Sequence, residues 1–147
     1  VVLERFESER KKIAKEKNDS IKKEKSFILA ENEPHYFVLI YNNKKNKSSE
    51  LLNMISNFNA EFYSTKSLKS KSISWSDNED VIIVKPFMKN SESEHYYGTI
   101  KQKFIANNPK LGDLHFMISK TNYSKLFEFK ELLKYIDFFK KNYPSNQ

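Results

Sequence analysis

The sequence predicts an α+β fold: a split β-α-β-β-α-β sandwich with an antiparallel four-stranded sheet, a charged helical arm before it and a helical extension after it. Two unbroken apolar runs carry that expectation, His35-Tyr36-Phe37-Val38-Leu39-Ile40-Tyr41 and Val81-Ile82-Ile83-Val84-Lys85-Pro86-Phe87. A segment of helical periodicity follows each run, and that recurrence is the third observation.

Residues 1 to 33 form the first block. Val2, Phe6 and Ile13 recur at near-helical spacing among nine basic and eight acidic residues, and Glu7 and Lys11 make an i,i+4 pair. This reads as an exposed helical arm or linker, broken near Asn18-Asp19-Ser20 and extended from Ser26 to Pro34. Residues 34–147 form the folded domain. Its first strand, 36 to 41, is apolar without alternation, as in a strand covered on both faces. After the polar loop Asn42 to Lys47, Leu51, Ile55, Phe58 and Phe62 trace one stripe of a helix over 48 to 63. Ser72 to Ser76 alternates around Ile73 and Trp75, and Ser76-Asp77-Asn78-Glu79 supplies turn chemistry, so a hairpin leads into the third strand.

A Val-x-Pro-Phe turn at Val84 to Phe87 leads to a second helix, expected to start at Ser91 with Glu94 completing a capping box. Tyr97, Ile100 and Phe104 are its buried stripe, and Asn107-Asn108-Pro109 stops it. Leu114 to Ser119 is the fourth strand. Asn122 to Tyr143 is helical again, with a break near Glu128 to Lys130 and an inner face of Leu126, Phe129, Leu133, Ile136 and Phe139 or Lys140.

Strand parity then makes a further demand. If Phe37, Leu39, Ile82 and Val84 face the two helices, Val38, Ile40, Val81 and Ile83 face the other way and are equally apolar. Together they would expose several hundred Å² of apolar surface, more than a soluble monomer usually shows. The C-terminal helix is the first candidate to cover them, and a partner or the arm is the second.

Composition narrows the function. The net charge of +7 rests on 24 Lys against 2 Arg, both in the arm, alongside abundant Asn, Ile, Phe and Tyr. That is the residue bias of an AT-rich genome rather than the arginine-based recognition of phosphates, so nucleic acid is not an expected partner. No run reaches the ~18 apolar residues of a membrane span. With Gly98 and Gly112 the only glycines, the sequence argues against phosphate-cradling loops, and the absence of Cys excludes thiolate metal sites.

His35, His95 and His115 are scattered, with no i,i+4 pair and no acidic residue at ligand spacing, so no metal is expected. Asp77, Glu79 and Asp80 read as a solvated turn rather than an acid–base pair. An RNA-binding sheet needs stacking rings on its central strands, and the third strand offers Val81, Ile83 and Lys85 instead. An acylphosphatase-type enzyme needs an arginine in the first loop, which Asn42 to Lys47 lacks. No catalytic residue and no cofactor is assigned. Trp75 either caps the core edge or serves as an interface anchor. The candidate interaction surface is Val2, Phe6, Ile13, Tyr36, Trp75 and Lys85.

Two resemblances add to this reading. The segment Val84-Lys85-Pro86-Phe87 through Tyr97 resembles the SPOR domain pattern, in which a Val-Gly-Pro-Phe turn opens a helix. That likeness implies a ferredoxin-like/SPOR-like core and, as an alternative function, binding of peptidoglycan glycan strands on the open face of the sheet. Here Lys85 replaces the glycine, and that face carries Val38, Ile40, Val81 and Ile83 where SPOR strands are polar. The strings Pro34-His35-Tyr36-Phe37-Val38-Leu39, Ile55-Ser56-Asn57-Phe58-Asn59 with Phe62-Tyr63-Ser64, and Tyr135 to Tyr143 resemble the C-terminal module of the PorW/SprE family. These are tetratricopeptide-repeat lipoproteins of the type IX secretion and gliding machinery of Bacteroidota. The resemblance covers Glu33 to Tyr143. It implies a non-catalytic periplasmic scaffold, held at the outer membrane by an N-terminal lipid anchor outside this sequence, that links the translocon to the periplasmic motor ring.

Overall fold

The computed structural model describes residues 26–143. Over these residues the fold is α+β, with a four-stranded antiparallel sheet and four α-helices. The strands are β1 (His35–Asn42), β2 (Lys69–Ser74), β3 (Glu79–Phe87) and β4 (His115–Ser119), in the order β2-β3-β1-β4. The helices are α1 (Ser48–Phe62), α2 (Asn90–Lys103), α3 (Lys120–Phe129) and α4 (Leu132–Asn142). The helix expected around Val2, Phe6 and Ile13 lies outside the described residues.

Antiparallel pairing places Phe37 opposite Val84 and Leu39 opposite Ile82 on one face, and Val38 opposite Ile83 and Ile40 opposite Val81 on the other. All eight are buried. On the first face, Phe37 meets Tyr96 and Tyr97 of α2 edge-on, and Phe58 of α1 packs against Tyr96 and Phe104. The second face is filled from the C-terminal helices. Tyr36 packs on Tyr123 of α3, and Phe116, the β4 neighbour of Val38, packs on Tyr135 and Phe139 of α4. The apolar demand of that face is met within the chain.

α4 also closes one edge of the sheet. The Tyr135 hydroxyl donates to the outward carbonyl of Met117 at 2.6 Å, so edge strand β4 is covered and one of its free acceptors is satisfied. Residues before β1 brace the same helices. Phe27 packs on Tyr135 and Phe138, and the Asn122 side chain pairs with both backbone groups of Ile28. The Glu33 carboxylate accepts from the Thr121 backbone N–H and hydroxyl at the start of α3. Burial pushes the Glu33 carboxyl up, but those hydrogen bonds outweigh it and hold its pKa below the usual range.

Several local expectations are corrected. Val84 to Phe87 is the end of β3 rather than a turn. Pro86 is tolerated there because the β1–β3 register shifts between His35 and Phe37, which relieves the ladder of an N–H that proline lacks. The capping box does not form: α2 starts at Asn90, one residue early, and Glu94 accepts from the Asn90 side chain instead. The Ser93 hydroxyl, buried, donates to the Asn90 carbonyl and anchors that turn. β2 lies at Lys69–Ser74, so Trp75 sits just past the strand. Phe62 is 38 % exposed because α1 runs past the core at its last residue, where Lys103 covers the ring. The break in the C-terminal helical region is real and is made by Lys130 in the left-handed conformation (φ 58). It also resets the helical phase, so Leu133 is 78 % exposed while Tyr135 and Phe139 point inward.

Tyr135→Phe should therefore keep the ring packing yet strand the Met117 carbonyl. Urea unfolding should show a loss of about 1–3 kcal/mol; an unchanged midpoint would mean the hydroxyl does not close this edge.

Candidate interaction surface

Of the candidates that sequence alone selects, the structure brings Tyr36, Lys85 and Trp75 onto one side of the sheet, while Val2, Phe6 and Ile13 lie outside the described residues. Tyr36 and Lys85 are neighbours on the second face, with the Lys85 ammonium 5.4 Å from the ring centroid. From Tyr36 a row of half-buried rings runs along α3: Tyr36 to Tyr123 at 5.0 Å, Tyr123 to Phe127 at 4.5 Å, and Phe127 to Trp75 at 5.3 Å. Lys130 closes the far end, 3.9 Å from the Trp75 ring centroid. Trp75 thus caps the edge of the core and keeps part of its ring in solvent.

Sequence reasoning missed Tyr123, Phe127 and Lys130. Their i, i+4, i+7 spacing was available, but it competes with the more apolar phase of Leu126 and Phe129. Only the buried position of Leu126 shows that Tyr123 and Phe127 flank the core side of α3 and look toward β2.

The same side of the sheet is strongly basic. Lys69 of β2 sits directly opposite Lys85 of β3, and Lys71 follows two residues along. Like charges in that relation repel. Among the described residues, the ion pairs are Lys66–Glu92 and Lys134–Glu131, so none of Lys69, Lys71, Lys85 and Lys130 meets a carboxylate. Lys85 and Lys130 lie over rings at the two ends of the row, and Lys69 and Lys71 stand exposed on β2, which together make this side a basic ledge.

Each of the three histidines is paired with a tyrosine hydroxyl. His35 Nδ1 donates to the Glu33 carbonyl, which leaves Nε2 to accept from Tyr143 at 3.0 Å. His95 meets Tyr63 and His115 meets Tyr97, both at 2.7 Å. Burial lowers the pKa of His35, and burial together with Lys101 lowers that of His115. Burial also pushes the Tyr143 hydroxyl up to about 12. The pairs are structural links: His35–Tyr143 joins β1 to the end of α4, His115–Tyr97 joins β4 to α2, and His95–Tyr63 joins α2 to the residue after α1. Among the described residues no group of three His, Asp or Glu is placed to hold a metal ion. A cleft of about 220 Å³ between Tyr63, Phe87 and His95 has the Lys66–Glu92 ion pair at its rim. The Tyr63 hydroxyl in it is already engaged by His95 and Thr99.

No family model, curated protein or solved structure matches the chain. Its surface chemistry has to be read from its own residues.

Two outcomes follow from this geometry. Unfolded histidine binds protons before buried His35 and His115 do, so stability should fall as pH drops through the ordinary imidazole value of 6.5, until the folded pKa values are reached. Thermal melts across that window should show the loss, and His35→Gln with His115→Gln should flatten it; an unchanged slope in the double variant would count against it. Lys130→Ala should cost about 0.5–1 kcal/mol through the lost cation–π contact. Trp75 fluorescence should also become more open to an added quencher, and equal quenching would show that Lys130 does not shield the ring.

Proposed function

We propose that this chain is a non-catalytic protein-interaction module of the type IX secretion and gliding machinery, acting in the periplasm as a scaffold between the outer-membrane translocon and the motor ring. One observation carries the docking part of this reading. Among the described residues both sheet faces are filled by the chain's own helices, while the β2 side carries exposed lysines next to a row of half-buried rings, which suits it to a partner. The placement in that machinery rests on the resemblance to the PorW/SprE module, whose strings fall on β1, on α1 with the residues just after it, and on α4. The strand order, with a helix after β1 and after β3, supports a ferredoxin-like/SPOR-like core on which α3 and α4 have been added.

Glycan binding of the SPOR kind is the second reading. Half-exposed Tyr36 and Trp75 are rings of the type that stack on sugars, but the face a glycan would use is occupied by α3 and α4. Pull-down on amidase-treated sacculi separates the two readings, and enrichment over untreated sacculi would favour the glycan.

The direct test is co-purification. A tagged chain secreted to the periplasm of a gliding bacterium should recover translocon and ring components, and recovery should drop when residues 1–25 are removed. That truncation keeps Phe27 and Glu33, which hold α3 and α4 in place. No recovery of either component by the full chain would refute the scaffold role; undiminished recovery by the truncated chain would remove the arm from it.

A further inference from the structure

We infer that the open edge of the sheet takes up an extended, acidic segment of a partner protein as a fifth strand beside β2. This rests on the docking role proposed above and names the chemistry of the partner. The two edges of the sheet are treated differently. At β4 the outward carbonyl of Met117 is satisfied by Tyr135 and helix α4 lies against the strand. At β2 the register and the Trp75 N–H to Glu79 carbonyl bond set the alternation. Lys69, Lys71 and Ile73 exchange backbone hydrogen bonds with β3, and the amides and carbonyls of Ser70, Ser72 and Ser74 turn outward. No described residue pairs with those outward groups. A row of free backbone donors and acceptors is the template that strand addition uses.

The side chains select what can pair there. Lys69 and Lys71 are exposed, and Lys85, directly across from Lys69, adds a third ammonium within one cross-strand spacing. Lys130 and Trp75 continue the ledge beyond the end of β2. Lysines on an edge repel a second copy of the same strand, which protects against self-association. The same charges attract a strand that carries Glu or Asp on alternate positions, because those carboxylates reach the lysine side of the sheet. Selectivity against self and selectivity for an acidic partner are thus one electrostatic device. Ser70 and Ser72 on the opposite side are held by Asn59 and Tyr41, so β2 is braced from below and presents a preformed edge.

The test uses the 147-residue chain and capped peptides that alternate Glu with Val and Thr. The acidic peptide should bind, weaken as salt is raised, and slow amide exchange at Ser70, Ser72 and Ser74. Its lysine counterpart should not bind. A copy N-methylated at the amides facing β2 should lose binding, since strand addition needs those donors. Lys69→Glu with Lys71→Glu should cost the acidic peptide at least about tenfold in affinity and bring in the lysine peptide. Exposed positions make this variant foldable, and an unchanged circular-dichroism spectrum verifies it. No binding, equal binding of the N-methylated copy, or tighter binding of polygalacturonate at the same amides would overturn the inference. Co-purification with secretion components that survives the charge reversal would overturn the strand-addition site alone, leaving the scaffold role standing.

Discussion

The central strands β1 and β3 carry aliphatic or aromatic side chains on both faces, and this constraint governs the rest of the molecule. Val38, Ile40, Val81 and Ile83 point away from α1 and α2, yet they are as buried as Phe37, Leu39, Ile82 and Val84. Burial stabilises at roughly 25 cal/mol per Å², so this face gains by being covered, and the helices that cover it bury their own apolar stripes in the same step. The helices α3 and α4 are therefore part of the folding unit. So are Phe27 and Glu33, which tie the chain before β1 to those helices.

A core this rich in rings must place its polar handles. Tyrosine hydroxyls do so repeatedly: Tyr135 on Met117, Tyr96 on the Asn59 side chain, and Tyr143, Tyr97 and Tyr63 on the three histidines. Burial raises the pKa values of Tyr96, Tyr97 and Tyr135, which keeps these hydroxyls protonated and able to donate. Ion pairs contribute little among the described residues, where Lys66–Glu92 and Lys134–Glu131 are both partly exposed. Lys69 and Lys71 are exposed and take no part in those ion pairs.

That division shapes the functional reading. Covering both faces removes the open sheet on which a SPOR-like core would hold a sugar chain, and the helix on β4 removes one edge. Among the described residues, the β2 side offers a basic edge and a row of rings leading to Trp75. In the function proposed above, a secretion machinery would be the setting for such a surface, and strand addition at the free backbone groups of β2 its mode of attachment.

Sequence alone determined the fold class, the order of strands and helices from β1 onward, the alternate facing of residues 37–40 and 81–84, and the break before α4. These depend on period and local chemistry, which neighbouring residues encode: alternation along a strand, a stripe along a helix, a pause at Glu128 to Lys130. The anomalous second apolar face was also legible, because parity needs no coordinates. Tertiary structure decided what covers that face, the phase of α4 after Lys130 resets it, and the displacement of Phe62 by the end of the core. It alone assembled the surface, since Tyr36, Lys69, Trp75, Lys85, Phe127 and Lys130 come from β1, β2, the turn after it, β3, α3 and the residue that ends α3. Pairing residues so far apart in the chain depends on sheet order and helix docking, long-range contacts that no local pattern of residues records.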